Sequence, residues 1–366
     1  MTSHRASQGN LVAKAVAALA GVAALGQIVA PSRPQGSDRT EAQRIAEQGA
    51  LPAVTGFKAA VERFQQGHPL LSFPLAVVRK FGDDQAGRLA ALVAYFGFFS
   101  LFPLLLAMVS ILGIVLDGRP DLVESVKENV YPQIPGIGDQ LRDSTTPLTG
   151  SYFAVAVGIA GALWGGLKAI DAAQDALNEV WDVSRVDYPK LPAKKLRSAT
   201  ALASVGLLLV GSAIGLQLLA QLPIPGGSKV MLQVAGVLVN AAVFLLSFKI
   251  MTATRLAWRD HLPGALLAGV FYVILQALGQ WYFVRTAENA EGTYGTFAVV
   301  IGLLSWFFLL AQLVTLAVEV NVVAARRLWP RSLFKGTLTE ADRRVLADAA
   351  RTQKRRADEH IRVEFG

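Results

Sequence analysis

The chain has 366 residues, of which 53% are hydrophobic and 17% charged, against about 25% charged in an ordinary soluble domain. That balance excludes a disordered chain, which needs low hydrophobicity with high charge, and argues against a soluble globular fold. There is no cysteine, the four histidines (His4, His68, His261, His360) are scattered, and the net charge is +8, so disulfide frameworks, Cys-ligated metals and thiol nucleophiles are excluded and the basic excess points to a cytoplasmic membrane face rather than to nucleic acid.

Residues 1–50 read as an N-terminal extension. Within it, residues 11–30 form a marginal apolar helix, because alanine and glycine add little insertion energy and Lys14 and Gln27 subtract from it. Pro31 follows the best small-residue cleavage site, which disfavours a cleaved leader. Residues 51–88 are expected to form cytoplasmic amphipathic or interfacial helices. Val54, Phe57, Val61 and Phe64 recur at helical spacing beside Lys58 and Arg63. That pattern fits a helix on the inner leaflet and equally a helix packed on the bundle.

Residues 89–325 hold six segments long and apolar enough to cross a hydrocarbon core of about 30 Å, each needing about 20 residues. They are 89–116, 152–167 with a helical continuation, 199–222, 230–248, 262–284 and 297–318. The 117–150 loop carries six acidic residues against three basic ones, whereas the 168–197 loop and the tail after Ala325, with eleven basic residues, are cationic. The positive-inside rule then places both termini in the cytoplasm. The turn Pro223–Gly227, PIPGG, is a tight external connection. Residues 326–366 form a basic cytoplasmic tail, in which Thr339 and Asp342 have the spacing of a helix N-cap and the following charged helix is expected to be solvated.

Polar groups inside a bilayer are costly and are functional candidates by default. Glu319, near the cytoplasmic end of the last span, is the strongest. Asn321 lies about 200° further round the same helix, so the two side chains address different neighbours. Gln217 with Gln221 and Gln276 with Gln280 each stack one turn apart, and Asn240 and Gln312 add single points; together they suggest a polar seam. Interhelical hydrogen bonding, worth about 0.6 kcal/mol on average in membranes, explains each of them singly. Pro103 leaves the Phe99 carbonyl without its helical partner and predicts a kink, with Ser100 placed to help satisfy the freed groups. Gly158, Ala162 and Gly166, spaced by four, permit close helix contact. Lys168, Asp171, Asp175, Asn178 and Asp182 recur at three or four residues and read as a solvated helix face, with Lys168 placed to pair with Asp171 or Asp175.

Several stretches, taken in order, carry a family resemblance. The first span has AYFGFFSLFPLLL, with Tyr95, Ser100 and Pro103; the second runs into ALNEVWDV, with Asn178 and Trp181. WRDHLPGALLAG stands at the fifth span, with Arg259, Pro263 and Gly264. TYGTFAVVIGLLSWFF opens the last, with Tyr294, Gly295 and Trp306, and VEVN closes it with Glu319 and Asn321. Over about residues 55–335 the chain resembles the BrkB/YihY family of bacterial inner-membrane proteins. The resemblance implies a multipass protein of the cytoplasmic membrane, envelope integrity as its biological setting, membrane lipids and envelope proteins as partners, and lipid export among its expected roles. Some members have carried a ribonuclease label. This sequence gives it no support, because a metal-dependent nuclease needs clustered ligands and no two histidines here lie within 60 residues of each other.

No P-loop, GxGxxG, GxSxG or HExxH pattern stands in a credible context. We therefore expect no catalytic residues, no metal, no cofactor, no nucleic-acid partner and no enzyme activity. The expected fold is all-α, a polytopic bundle of six transmembrane helices with both termini cytoplasmic. The expected role is movement of a lipid or other amphiphile across the membrane, with a non-transporting scaffold as the alternative and a membrane enzyme third.

Overall fold

The computed structural model describes residues 52–117, 151–220, 228–254, 256–288, 293–334, 338–356 and 358–365. The marginal helix at 11–30, the 118–150 loop and the 223–227 turn lie outside these residues. No strand occurs among the described residues. The helices are α1 (Pro52–Gly67), α2 (Pro69–Asp83), α3 (Ala86–Leu116), α4 (Tyr152–Val180), α5 (Leu191–Ala220), α6 (Ser228–Met251), α7 (Trp258–Glu288), α8 (Thr293–Arg326) and α9 (Glu340–Thr352).

Among the described residues, five helical segments are long and apolar enough to cross a membrane: Ala86–Val115, Tyr152–Val180, Met231–Met251, Trp258–Gly279 and Val300–Arg326. The remaining expected span, 199–222, falls on α5, a continuous helix to Ala220. Leu92, Phe99, Phe102, Leu104 and Met108 on α3 are exposed although apolar. Water would penalise such a surface and lipid tails would not. The protein is an all-α, multipass membrane bundle.

The six long helices close into a ring in chain order. α3 packs on α4, α4 on α5, α5 on α6, α6 on α7, α7 on α8, and α8 returns to α3. The contacts of Gly158 with Ala107 and Gly165 with Ser100, and of Gly264 with Ala317 and Gly279 with Trp306, run in opposite chain directions, so α3 and α4, and α7 and α8, are antiparallel. α2 packs outside the ring against α8, burying Ala76, Val77 and Lys80.

Glycines set the closest approaches. On α4 they are Gly158, Gly161 and Gly165, where an added Cβ would lie 2.6 Å from the Ala107 amide nitrogen, 2.8 Å from Pro103 Cβ and 2.8 Å from Ser100 Cβ. The expected stripe Gly158, Ala162, Gly166 shares only its first member with this seam. A stripe that mixes spacings of three and four stays on one face of a 3.6-residue helix, whereas strict fours drift off it. Pro103 thus abuts a glycine groove, and the Ser100 hydroxyl donates to the Gly97 carbonyl at 2.7 Å rather than serving the Phe99 carbonyl.

The stripe read as a solvated face on α4 is instead an interhelical contact. Asp171 accepts from Lys195 and from Ser198, and Asp175 accepts from Lys194 at 2.6 Å. The partners come from the start of α5 and not from Lys168. The period of the stripe was sufficient to place these residues on one face, but periodicity does not say which element faces it.

Candidate functional site

At one end of the ring the C-terminal ends of α2, α4 and α8 converge, and each ends in the same way. Gln85, Asp182 and Arg327 have φ of 52°, 50° and 54°, the positive-φ non-glycine residues of the described chain. After α4, Val183 N–H donates to the Asn178 carbonyl at 2.9 Å and Asp182 N–H to the Glu179 carbonyl at 3.0 Å. After α8, Leu328 N–H donates to Val323 at 3.1 Å and Arg327 N–H to Ala324 at 3.4 Å. Both are Schellman terminations in which an Asp or an Arg stands where glycine is usual, at roughly 1–2 kcal/mol of left-handed strain each. Strain of this kind collects at functional sites.

The three ends enclose an ionic cluster. Lys80 of α2 has no exposed surface. Its ammonium pairs with Asp84, reaches Asp182 at 3.4 Å and donates to the Val180 carbonyl at 3.2 Å. Arg326, at the end of α8, bridges Asp182 at 3.0 Å and Asp348 of α9 at 3.2 Å. Its guanidinium also lies 5.9 Å from the centre of the Trp181 ring. Glu319, about two α8 turns before Arg326, is fully buried, and neither carboxyl oxygen has a hydrogen-bond donor. The Asp84 carboxyl lies within hydrogen-bonding reach of it.

Burial pushes the Asp84 carboxyl up to about 6, against the opposing charge of Lys80. Burial likewise raises Asp182, with Lys80 and Arg326 pulling the other way. For Lys80, burial alone would lower the ammonium, but the carboxyls of Glu319, Asp84 and Asp182 hold it well above its ordinary value. Lys80 is therefore a fixed cation, and the carboxyls are the groups that can change charge.

A second set of ion pairs docks the tail over this end. Arg331 donates to Asp342 of α9 at 2.9 Å and to Asp83 of α2 at 2.7 Å. Asp342 also accepts from Ser332 N–H at 2.9 Å and closes a capping box with Thr339. The helix expected to be solvated is seated on the bundle through Ala341, Asp342 and Val345. Burial would raise the Asp342 carboxyl, but the bonds from Ser332, Thr339 and Arg331 outweigh it and hold the group below its usual value. Beside this face is an open cavity of about 460 Å³ whose basic wall is Arg185, Lys354 and Arg355.

The other singled-out residues take varied places. Asn178 accepts from Ala253 N–H at 2.7 Å and so fixes the α6–α7 connection to α4. Trp181 is 1% exposed and meets His261 edge-on at 5.7 Å. Asn321 accepts from Gly264 N–H at 2.6 Å. Glu319 and Asn321 thus engage α2 and α7 respectively. Trp306 packs over Gly279, where an added Cβ would lie 2.5 Å from the indole. Tyr95 is exposed and stacks on Phe99 at 4.7 Å, and Arg259 and Pro263 are exposed.

Of the glutamine seam, Asn240, Gln276 and Gln312 have described side chains. Asn240 donates back to its own helix, to Gly236, at 2.7 Å. Gln276 is exposed, and Gln312 faces Gly87 of α3. Gln221 and the side chains of Gln217, Gln280 and Tyr294 lie outside the described residues, as does the surroundings of Gly295. Among the described residues no cluster of three His, Asp or Glu groups is arranged for a metal.

Sequence reasoning passed over Lys80, Asp84, Arg326 and His261 as site residues. The available signal was their position: each stands within a few residues of a helix end, on the face that charge places in the cytoplasm. His261 is fully buried with both ring nitrogens unpartnered.

Comparison with known proteins bears on the whole bundle. The chain is 26% identical over 270 residues to the putative ribonuclease-like protein YfkH of Bacillus subtilis, covering 70% of this chain and 96% of that one. It is 22% identical over 287 residues to the inner membrane protein YhjD of Escherichia coli, covering 72% and 83%. A UPF0761 membrane protein of Azotobacter vinelandii is 25% identical over 273 residues, covering 72% and 65%. No solved structure matches. The family model "Virulence factor BrkB" matches residues 77–336, a stretch that runs from α2 through the ring to the connection before α9 and takes in Lys80, Asp84, Asp182, Glu319 and Arg326; the chain belongs to the BrkB family.

Proposed function

We propose that this protein resides in the bacterial inner membrane with both termini in the cytoplasm and moves a lipid or other amphiphile between leaflets, without enzymatic chemistry. The observation that carries the reading is the buried Lys80–Asp84–Asp182–Glu319 cluster at one end of the ring. An ion cluster shut off from water is a poor way to gain stability, since well-packed apolar residues in its place are often neutral or better by about 1–4 kcal/mol. Ionisable groups kept at such expense in a membrane bundle commonly line pathways. The strained helix ends around the cluster suit an element that changes its packing.

One observation favours a second reading, a non-transporting scaffold that binds envelope proteins: Asn240 bonds back to its own helix and Gln276 faces outward, so neither lines an internal passage. Movement of headgroup-labelled lipids between leaflets of reconstituted vesicles separates the two. The carrier reading expects wild type to move lipid and Glu319→Gln, folded by size-exclusion chromatography, to do so about tenfold more slowly, the effect of about 1.4 kcal/mol in a barrier. Folded wild type that moves none of several lipid classes would establish the scaffold instead.

A further inference from the structure

We propose that Asp84 and Glu319 together bind one exchangeable proton, and that this proton is the ion taken up and released when the charged end of the ring opens. The argument begins with what Glu319 lacks. Both carboxyl oxygens are buried without a donor, and the cations of the cluster are already engaged. Lys80 serves Asp84, Asp182 and the Val180 carbonyl. Arg326 serves Asp182, Asp348 and the Trp181 carbonyl. The group within reach of Glu319 is another carboxyl, that of Asp84. Two carboxylates repel, whereas a carboxylic acid and a carboxylate form a strong hydrogen bond. One proton between them turns an unsatisfied pair into a satisfied one.

The charge count leads to the same place. The charged groups facing Glu319 are Lys80 and Asp84 at the end of α2 and Asp182 beyond α4, and Asp182 is tied onward through Arg326 of α8 to Asp348 of α9. Fully ionised, four carboxyls would face two cations in a space with little water. A proton shared by Asp84 and Glu319 removes one of the two surplus negative charges, and Asp348, 27% exposed, keeps the other near solvent.

A route for the proton is present. Arg326 and Asp348 are 31% and 27% exposed, so the aqueous face lies one ion pair beyond Asp182. Separation of α2 from α8 would uncover the pair, release the proton to that face and leave both groups as carboxylates. No other bond is made or broken. The site stands independently of the carrier reading; the coupling of its proton to transport rests on that reading.

The test is infrared spectroscopy of the reconstituted protein across a pH series, beside lipid movement under an imposed pH gradient. Wild type should show a protonated-carboxyl stretch at neutral pH that disappears reversibly in alkali. Glu319→Gln, isosteric and able to donate to Asp84, should fold and lack it. Asp84→Asn, a second folded variant, should shift it by changing the acceptor. Absence of the band, or a band unchanged in both variants, overturns the proton site. A band that behaves as expected, together with wild-type lipid movement that responds to the gradient, supports the whole proposal. The same band with lipid movement indifferent to the gradient overturns the coupling. The same band without lipid movement at all overturns the carrier reading and leaves the proton site standing.

Discussion

Gly264 and Asn321 form the tightest contact between α7 and α8, and the reason is steric. A Cβ on residue 264 would lie 2.0 Å from the Ala317 carbonyl oxygen and 2.5 Å from the Asn321 amide nitrogen. Backbone cannot yield as a flexible side-chain tip can, so Gly264→Ala must spread the two helices and break the 2.6 Å bond from Gly264 N–H to Asn321. The expected loss is about 3 kcal/mol, the upper end of the range for overpacking. Gly206, which has nothing within 4 Å of its added Cβ, is the control. Thermal unfolding in detergent should show Gly264→Ala well below wild type and Gly206→Ala level with or slightly above it, as Ala is the better helix former; Gly264→Ala melting with wild type would remove the close approach from the account. Residues such as Asn178, Gly264 and Asn321 were legible in the sequence as oddities, a polar or very small residue in an apolar helix. Their partners were not. The Asn178 acceptor serves an amide 75 positions away, and the Asn321 acceptor one 57 positions away.

The elements were legible where the signal is local. Hydropathy over about 20 residues locates a span whatever surrounds it, and the Thr339–Asp342 spacing marked the start of α9, where the capping box is formed. What α9 does was not legible, because a charged amphipathic helix reads as solvated until the cations opposite it are known. Asp342 is the pin: Arg331 Nε, Ser332 N–H and the Thr339 hydroxyl and N–H all donate to it. Its folded pKa is depressed below 3.8, so the stabilisation it provides is present above the unfolded value and is lost as pH falls through the folded one. Hydrogen exchange should therefore show α9 protected at neutral pH and released in acid. Asp342→Asn removes the charge and leaves the buried Arg331 with Asp83 alone. It should cost about 3 kcal/mol of docking at neutral pH and abolish the further loss in acid. An acid-dependent release that persists in the variant would move the pin elsewhere.

For the molecule as a whole, the charge rule predicts an orientation and the packing shows which helix ends share a face. The sequence assigns the cationic loops to the cytoplasm by insertion bias. The ring brings the same ends together physically: Lys80, Asp182 and Arg326 meet in one cluster, the α6–α7 connection is tied to α4 through Asn178, and α9 docks there through Asp348 and Asp342. Residue by residue the cluster was illegible, since positions 80, 84, 182, 319, 326 and 348 adjoin only once six helices have closed. Their grouping on one face was legible, because every member lies near a helix end that the charge rule assigns to the same side. The absence of cysteine makes the orientation directly measurable. Single cysteines at Gln353, beyond α9, and at Ser144, in the acidic loop, can be read with a membrane-impermeant maleimide on intact cells. Ser144→Cys should label before lysis and Gln353→Cys only after it. The reverse pattern would invert the bundle and put the ionic cluster on the outer face. A proton held there would meet the pH of the outer compartment instead of the cytoplasm.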